Sequence, residues 1–348
     1  MTRQELERTA AALVAEGKGI LAADETVPTL TKRFAVLKIE STEDSRRAYR
    51  EMFFTTPGVA SFISGVILQD ETIRQKNAIG IPLAELLSKQ GIIPGIKVDT
   101  GAKPLAGSPD EKVTEGLDGL RDRLKEYAAM GAKFAKWRAV ITITDTLPSS
   151  MCVSANAHAL ARYAALCQEQ GIVPIVEPEV LMDGAHTINR CEEVTSVVLH
   201  AVFAALFEQG VSLEGMLLKP NMVISGKESR RQASVDEVAV ATLRCLRRHV
   251  PAAVPGIVFL SGGQSDVLAT SHLNAINKLA GPRPWTISFS YGRALQDPAI
   301  EAWHGKQDNL KAGQEAFYNR AKCNGAAALG RYTGALEDRK AGDETAAS

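Results

Sequence analysis

The sequence predicts a (β/α)8 barrel, because eight short apolar segments alternate with segments of helical spacing along most of the chain. Strands that alternate with helices are joined by right-handed crossovers into a parallel sheet, and eight such units favour closure into a barrel. The predicted strands comprise residues 19–23, 61–68, 92–98, 133–141, 172–176, 215–218, 256–260 and 285–289. Helical spacing occurs at residues 41–55, 81–89, 114–130, 154–170, 195–209, 234–250 and 265–278.

Two near-identical segments support a repeated βα unit. The sequence QGIIP at 90–94 and the sequence QGIVP at 170–174 each place a glycine between a helical segment and an apolar strand. Glycine readily adopts the left-handed conformation that ends many helices. Both segments therefore predict a helix terminus that leads directly into a strand.

Polar and charged residues follow most of the predicted strands. In a barrel the carboxyl ends of the strands meet at one mouth, where active sites are built. A single charged residue at such a position is usually only solvated, but a full set predicts a functional site. The set comprises Asp24, Asp70, Lys97, Asp99, Glu177, Glu179, Lys219, Ser261 and Ser290, and the fourth strand carries Lys136 and Arg138 within it.

Composition favours one folded domain followed by a flexible tail. Hydrophobic residues make up 45% of the 348 residues and charged residues 23%, which is typical of a soluble globular protein. We expect a single barrel domain over residues 1–332 and a flexible tail over residues 333–348, which have little to bury. Basic and acidic residues both number 40, and this balance argues against nucleic acid or an anionic membrane surface as a partner.

Cysteine and histidine usage predicts a cytoplasmic protein without a metal site. The five cysteines are scattered and form no CxxC pair, which favours a reducing compartment. Residues 1–19 lack the apolar core of a signal peptide, and no apolar run approaches the roughly 20 residues that span a bilayer. The six histidines never stand two or four positions apart, so their spacing does not suggest metal ligands.

Lys219 is the candidate nucleophile. It follows Met216-Leu217-Leu218 and precedes Pro220, which prevents a helix from continuing, so it is predicted to end a strand among apolar neighbours. A free lysine amine is mostly protonated at neutral pH, and desolvation or a neighbouring cation such as Lys136 activates it. Alone, a lysine at this position would more often extend its ammonium group to solvent, so the interpretation depends on its neighbours.

Two pairs of charged residues are predicted to share one side of their strands. Lys136 and Arg138 stand two positions apart, as do Glu177 and Glu179. The carboxylates suit acid–base catalysis, although a structural ion-pair network is also open, and glycosidases use paired carboxylates too. Neutral sugars do not require the cations predicted at this mouth, which are Lys97, Lys136, Arg138, Lys219 and Arg293.

Glycine-containing turns after the seventh and eighth strands predict a phosphate site. Ser261-Gly262-Gly263 follows one strand, and Ser290-Tyr291-Gly292-Arg293 follows the other. Glycines let backbone N–H groups approach an anion closely, and an arginine adds charge-assisted hydrogen bonds. Barrel enzymes commonly bind phosphate at these two loops, so a phosphorylated substrate is expected.

These segments together resemble the class I fructose-1,6-bisphosphate aldolases over nearly the whole chain. The resemblance implies a metal-free, cofactor-free (β/α)8 barrel, usually a homotetramer, which interconverts fructose 1,6-bisphosphate with dihydroxyacetone phosphate and glyceraldehyde 3-phosphate. The motifs that carry it are GKGILAADE (17–25), NAIGIPLAELLSKQGIIPGIKVDTG (77–101), KFAKWRAV (133–140), GIVPIVEPE (171–179), EGMLLKPNMV (214–223), FLSGGQS (259–265) and FSYGRALQ (289–296).

The resemblance also implies a role for each site residue. Lys219 would form the Schiff base, and Glu177 would be the acid that dehydrates the carbinolamine. Asp24 and Lys136 would assist proton transfer and carbon–carbon cleavage, with Glu179 tuning the lysines. The phosphate on the ketone half would be bound by Ser261, Gly262, Gly263, Ser290, Gly292 and Arg293, and the other phosphate and the hydroxyls would face Arg33, Lys97 and Arg138.

Two segments depart from the family pattern. After Asp24 and Glu25 the family usually has Ser-Thr-Gly-Ser, whereas this chain has TVPT at 26–29, which leaves room for a monophosphate substrate and a transaldolase-like reaction. Eukaryotic members end in a tyrosine that carries the carbanion proton, whereas the last tyrosine here is Tyr332, so another group or water is expected to protonate the enamine. A barrel without catalysis, serving as a scaffold, is disfavoured because the catalytic residues are intact.

Overall fold

A computed structural model describes residues 2–337 and contains ten strands and twelve α-helices in that range. The strands are β1 (Gly19–Ala22), β2 (Ile63–Leu68), β3 (Ile93–Lys97), β4 (Gly101–Leu105), β5 (Ser108–Glu115), β6 (Phe134–Ile141), β7 (Val173–Val180), β8 (Leu217–Leu218), β9 (Gly256–Phe259) and β10 (Thr286–Tyr291). The helices are α1 (Arg3–Leu13), α2 (Val27–Val36), α3 (Glu43–Phe54), α4 (Asp70–Arg74), α5 (Leu83–Lys89), α6 (Leu120–Ala129), α7 (Ser150–Glu169), α8 (Ile188–Glu208), α9 (Val235–His249), α10 (Asp266–Lys278), α11 (Arg293–Trp303) and α12 (Leu310–Ala328).

Eight parallel strands close into a barrel in the order β1-β2-β3-β6-β7-β8-β9-β10, with β10 paired back to β1. Each of the eight predicted strands contributes to this barrel, so the predicted fold class is confirmed. The register places Lys97 of β3 beside Lys136 of β6, and Arg138 of β6 beside Glu177 of β7. Charged residues from three neighbouring strands thereby occupy two successive levels near the carboxyl mouth.

The two repeated segments end helices as predicted. Gly91 follows α5 with φ +76°, and Gly171 follows α7 with φ +69°. The next residue in each case, Ile92 or Ile172, donates its backbone N–H five residues back into the preceding helix. This reversal satisfies a carbonyl at the helix end and directs the chain into β3 or β7.

The prediction was wrong at the start of the third helical segment, 114–130. Residues 114 and 115 belong to an antiparallel hairpin of β4 and β5, which the sequence analysis did not identify, and α6 begins only at Leu120. Thr114 is fixed there by tertiary contacts, because its hydroxyl donates to the carbonyl of Arg138 at 2.7 Å and its N–H donates to Asn156. Contacts with β6 and α7 outweigh the local helical spacing.

Helix α1 covers the amino-terminal end of the barrel. Its buried Leu6, Ala10 and Leu13 pack with apolar residues at the starts of the strands, among them Ile20 and Phe134. The barrel is therefore filled and closed at this end, and the polar mouth lies at the other.

Phe134 fills the barrel interior and leaves no room for a side chain at Gly95 of the neighbouring strand. A Cβ built at Gly95 would lie 2.4 Å from the Phe134 ring. We expect Gly95→Ala to lower the free energy of unfolding by about 1–3 kcal/mol, measured by urea denaturation, because an overpacked core displaces its neighbours. Gly334→Ala is the control, because a Cβ there meets nothing within 4 Å, and equal midpoints for the two variants would contradict the packing argument.

The predicted tail falls mostly outside the described residues, which end at residue 337. Within the described part, Glu337 accepts hydrogen bonds from Arg320 at 2.6 Å and from the Tyr332 hydroxyl at 2.7 Å. Gly334–Leu336 forms a 3-10 turn before it. Across residues 2–337, none of the helices combines the length and the apolar character needed to cross a bilayer.

Candidate active site

Lys219 lies directly after β8 with its side chain almost completely buried. Its backbone N–H donates to the carbonyl of Val176 at 2.8 Å, so the strand pairing extends to the lysine itself. The Nζ atom lies 3.1 Å from Oε1 of Glu177, and the two side chains are 5% and 4% exposed. A lysine that reached solvent would not have this burial, so the alternative of a solvent-extended lysine is excluded for this structure.

Glu177 also contacts a second lysine. Its Oε2 atom lies 3.3 Å from Nζ of Lys136, and the same Nζ lies 2.7 Å from Oδ2 of Asp24. Two ammonium groups and two carboxylates thus form one buried network. Its members come from β6, from β7, from the residue after β8 and from the segment after β1. Opposite charges in this arrangement offset much of the cost of removing each from water.

The network fixes the charge of its members. Burial alone would raise the pKa of Asp24, but Lys136 and Lys219 outweigh that effect and hold it at about 2. Burial likewise opposes ionisation of Glu177, yet Lys136, Lys219 and Arg138 lower its pKa. Burial would lower the pKa of Lys136, but Asp24 and Glu177 raise it. Both carboxylates are therefore ionised at neutral pH beside a protonated Lys136.

Glu179 lies one strand position beyond this network. It accepts a hydrogen bond from Nε of Arg138 and contacts neither Lys136 nor Lys219 among the described residues. The backbone N–H of Arg138 in turn donates to Asp99 at 3.2 Å. The structure therefore brings Glu179 to an arginine at the mouth, and any influence on the two lysines passes through charge at a distance.

Lys97 and Arg33 differ in how they face the mouth. Lys97 of β3 pairs with Asp99 at 3.1 Å, beside Lys136 in the sheet. Arg33 of α2 is instead held by the carboxylate of Glu25 at 2.5 Å and by two α11 side chains, Gln296 at 2.6 Å and Asp297 at 2.8 Å. The structure does not bring Arg33 into contact with the lysine network.

The two predicted phosphate turns present unpaired donors. Gly262 and Gly263 have φ values of +60° and +84°, which side chains rarely adopt. The hydroxyl of Ser290 is buried at the end of β10 without a hydrogen-bond partner in the described chain. Gly292 precedes Arg293, the first residue of α11, and the helix lacks a side-chain cap at its amino end. Free N–H groups and a helix amino terminus suit an anion here.

Asp70 of the predicted set belongs to a different environment. It begins α4, where its carboxylate accepts hydrogen bonds from Arg74 at 2.9 Å and from the Tyr127 hydroxyl at 2.9 Å. Its pKa is lowered, since these two hydrogen bonds favour the charged form over the opposing effect of burial. Asp70 therefore serves the local structure of α4 and α6.

His272 supports the first phosphate turn and is not among the site residues predicted from the sequence. Nδ1 of His272, on α10, lies 2.5 Å from Oε1 of Gln264, and the Gln264 amide donates to the carbonyl of Ser261 at 2.9 Å. The sequence offers no signal for this contact beyond the placement of His272 in a helix that follows the turn.

Acid should weaken the fold through His272. Burial lowers its pKa from 6.5 to about 4, so the unfolded chain binds a proton that the folded chain excludes between these values. Stability contributed by this group is present above pH 6.5 and is lost as the pH falls towards 4. We expect His272→Gln to flatten the decline in unfolding free energy over that window, by roughly 2–3 kcal/mol, in urea titrations at pH 6.5 and pH 4. His304→Gln, a change at an exposed position, should leave the decline unaltered; equal slopes for wild type and His272→Gln would refute the assignment.

Residues 2–337 hold no group of three His, Cys, Asp or Glu side chains arranged to bind a metal ion. All five cysteines are buried and free in the structure, at positions 152, 167, 191, 245 and 323. The polar mouth is thus built from lysines, arginines, carboxylates and backbone N–H groups.

Comparison with known proteins gives a consistent result. A family model described as fructose-bisphosphate aldolase class-I matches residues 5–347. A probable fructose-bisphosphate aldolase class 1 of Xanthomonas axonopodis pv. citri is 58% identical over 335 residues, which cover 96% of this chain and 100% of the relative. A cytosolic fructose-bisphosphate aldolase 4 of Arabidopsis thaliana is 52% identical, over 95% of this chain and 84% of the relative.

A solved structure is similar as well. The fructose-bisphosphate aldolase of Plasmodium falciparum, determined with TRAP and a small-molecule inhibitor, superposes with a TM-score of 0.94 at 50% identity. The match covers 95% of this chain and 96% of that one.

Proposed function

The chain belongs to the class I fructose-bisphosphate aldolase family, and we propose that it forms its Schiff base on Lys219. It catalyses the reversible cleavage of fructose 1,6-bisphosphate to dihydroxyacetone phosphate and glyceraldehyde 3-phosphate, so the function predicted from the sequence is confirmed over the monophosphate alternative. The observation that carries the proposal for Lys219 is its buried contact with Glu177, which also contacts Lys136.

Imine formation begins with a proton transfer from Lys219 to Glu177. The ammonium group must lose a proton before it attacks, and Oε1 of Glu177 lies 3.1 Å away. The neutral amine then adds to the C2 ketone and gives a carbinolamine. Glu177, now protonated, returns the proton to the departing hydroxyl, and water leaves. Lys136 remains charged throughout because Asp24 lies 2.7 Å from its Nζ atom.

Carbon–carbon cleavage uses the iminium as the electron sink. Glu177 is again a carboxylate after dehydration and removes the proton from the C4 hydroxyl. Asp24 lies 2.7 Å from Nζ of Lys136 and serves to hold that lysine in place. The C3–C4 electron pair moves to the iminium, which releases the aldehyde and leaves an enamine. Protonation and hydrolysis of the enamine return dihydroxyacetone phosphate and the free lysine.

The two turns and the surrounding cations would bind the phosphates. Ser261, Gly262, Gly263, Ser290, Gly292 and Arg293 take the phosphate on the ketone half, supported by the unpaired Ser290 hydroxyl and the free amino end of α11. Lys97 and Arg138 face the hydroxyls and the second phosphate. Arg33 would have to leave Glu25, Gln296 and Asp297 to join them.

A coupled assay tests the reaction and its cofactor requirement. We expect the purified protein to release glyceraldehyde 3-phosphate from fructose 1,6-bisphosphate at the same rate with and without EDTA, because the iminium supplies the electron sink. Loss of the rate in EDTA that added zinc restored would contradict the proposal.

We further propose a cytoplasmic homotetramer. The cytosolic relative supports the localisation, and the family supports the assembly. Apolar side chains of α8 are exposed, as a subunit contact would require: Phe207 is 85% exposed and Val197 57%. Sedimentation velocity of the purified chain should give the mass of four copies, and a single species of monomer mass at micromolar concentration would exclude it.

A further inference from the structure

Lys227 places a further cation at the first phosphate turn, although the sequence analysis did not select it. A Cβ built at Gly263 would lie 3.3 Å from Nζ of Lys227 and 3.1 Å from Nη2 of Arg293. The ammonium and guanidinium groups therefore flank the same glycine, from the loop after β8 and from the start of α11. Arg293 makes no ion pair or hydrogen bond with another side chain in the described range, so positive charge at this turn is incompletely balanced.

The loop that carries Lys227 is held rigidly against the loop after β7. A Cβ at Gly226 would lie 2.2 Å from the carbonyl oxygen of Gly184, so the two backbones are in direct contact. Three consecutive backbone N–H groups donate across this contact at 2.8–3.0 Å, from Gly226 to His186, from Lys227 to Met182 and from Glu228 to Gly184. The backbone of Lys227 is thereby positioned before any ligand binds.

Asp183, the ion-pair partner of Lys227, competes only weakly with a phosphate for the Lys227 ammonium group. Nζ lies 3.0 Å from Oδ1 of Asp183, and the two side chains are 45% and 66% exposed. Exposed ion pairs contribute little because water screens them. A phosphate monoester carries a charge of about −1.5 to −2 near neutral pH and offers three acceptor oxygens, so it attracts the same ammonium more strongly.

We propose that Lys227 is an additional ligand of the phosphate on the ketone half of the substrate, and that Asp183 competes with that phosphate for it. This inference rests on the assignment of the turn at Ser261, Gly262 and Gly263 to that phosphate. Lys227 forms no ion pair with the Lys219 network. It binds the phosphate equally in the ground state and in the transition state, so it affects KM and leaves kcat nearly unchanged. It favours substrates that carry a phosphate next to the reacting ketone.

Three variants test the proposal. Lys227→Gln should raise the KM for fructose 1,6-bisphosphate by about three- to tenfold, as loss of one charge-assisted contact predicts, with kcat within twofold of wild type. Asp183→Asn should lower KM or leave it unchanged, because it frees the ammonium group. Lys89→Gln is the matched control, since Lys89 forms an exposed pair with Glu85 at 2.7 Å on α5 and should change nothing.

Lys219 is labelled with dihydroxyacetone phosphate and borohydride, and the concentration of dihydroxyacetone phosphate that gives half-maximal labelling is measured. This half-saturation concentration distinguishes a failure of the inference from a failure of the Schiff-base assignment. An increase in Lys227→Gln, restored towards wild type in Lys227→Arg, supports the inference. An unchanged half-saturation in Lys227→Gln, with normal labelling of wild type, overturns the inference alone. A rise in KM for Asp183→Asn equal to that for Lys227→Gln also overturns it, because the pair would then act only by holding the loop. Absence of label at Lys219 in wild type would instead refute the Schiff-base assignment itself.

Discussion

Replacing Lys219 with methionine is expected to lower kcat for fructose 1,6-bisphosphate cleavage by at least about 10⁴-fold, because no imine forms without the amine. Methionine has a similar length and fits the apolar surroundings of β8, so the barrel should persist. Steady-state cleavage, measured beside far-ultraviolet circular dichroism, tests the expectation. The variant should retain the spectrum of the wild type while it loses the activity.

Two comparisons isolate the role of the amine in that experiment. Lys219→Arg keeps a positive charge beside Glu177 but cannot form the imine, so it should be as inactive as the methionine variant. Lys89→Met removes an exposed lysine of α5 and should retain full activity. Cleavage by Lys219→Arg within tenfold of wild type would show that charge, and not the amine, is what the reaction needs.

Glu177→Gln is expected to lower kcat by about 10²- to 10⁴-fold, because the amide can neither accept the Lys219 proton nor return it to the departing hydroxyl. The change also removes the carboxylate that lies between Lys136 and Lys219. Asp24 remains as the ion-pair partner of Lys136, and Lys219 loses its ion-pair partner among the described residues. Loss of one partner from a buried ion pair typically costs about 3–5 kcal/mol of stability.

Catalytic activity and the free energy of unfolding should therefore both fall in Glu177→Gln. The time course of imine formation distinguishes a slower chemical step from a loss of folded protein. Rapid mixing with substrate, followed by acid quench, should show slow accumulation of the imine at a temperature where the variant is fully folded. Glu179→Gln is the comparison, because Glu179 pairs with Arg138 and contacts neither lysine. Imine formation as fast in Glu177→Gln as in wild type would remove Glu177 from the dehydration step.

The fold was predictable because its signals are local. Each barrel strand is a short apolar run, and Gly91 and Gly171 mark where helices end, so alternation alone indicates the barrel. The hairpin of β4 and β5 was not predictable in the same way. Its residues are largely polar, and the last two fall within the segment with helical spacing, 114–130. Thr114 is placed by contacts with Arg138 and Asn156, which are distant in sequence.

The candidate site was predictable in its position but not in its pairings. Strand ends converge in any barrel, so Asp24, Lys136, Glu177 and Lys219 were expected near one another. The partner of each charge depends on register and rotamer, and for this reason the contact of Glu179 with Arg138 could not be deduced from the sequence. The direction of the Lys227 side chain likewise depends on how two loops pack, which local spacing does not encode.

The most direct test of the account is to trap the imine. The protein is incubated with dihydroxyacetone phosphate and borohydride, which reduces the imine to a stable amine, and the modified peptide is identified by mass spectrometry. We predict one adduct, on Lys219, whose Nζ atom lies 3.1 Å from Glu177 in the buried mouth of the barrel. An adduct confined to a different lysine, or no adduct on any lysine, would contradict the account.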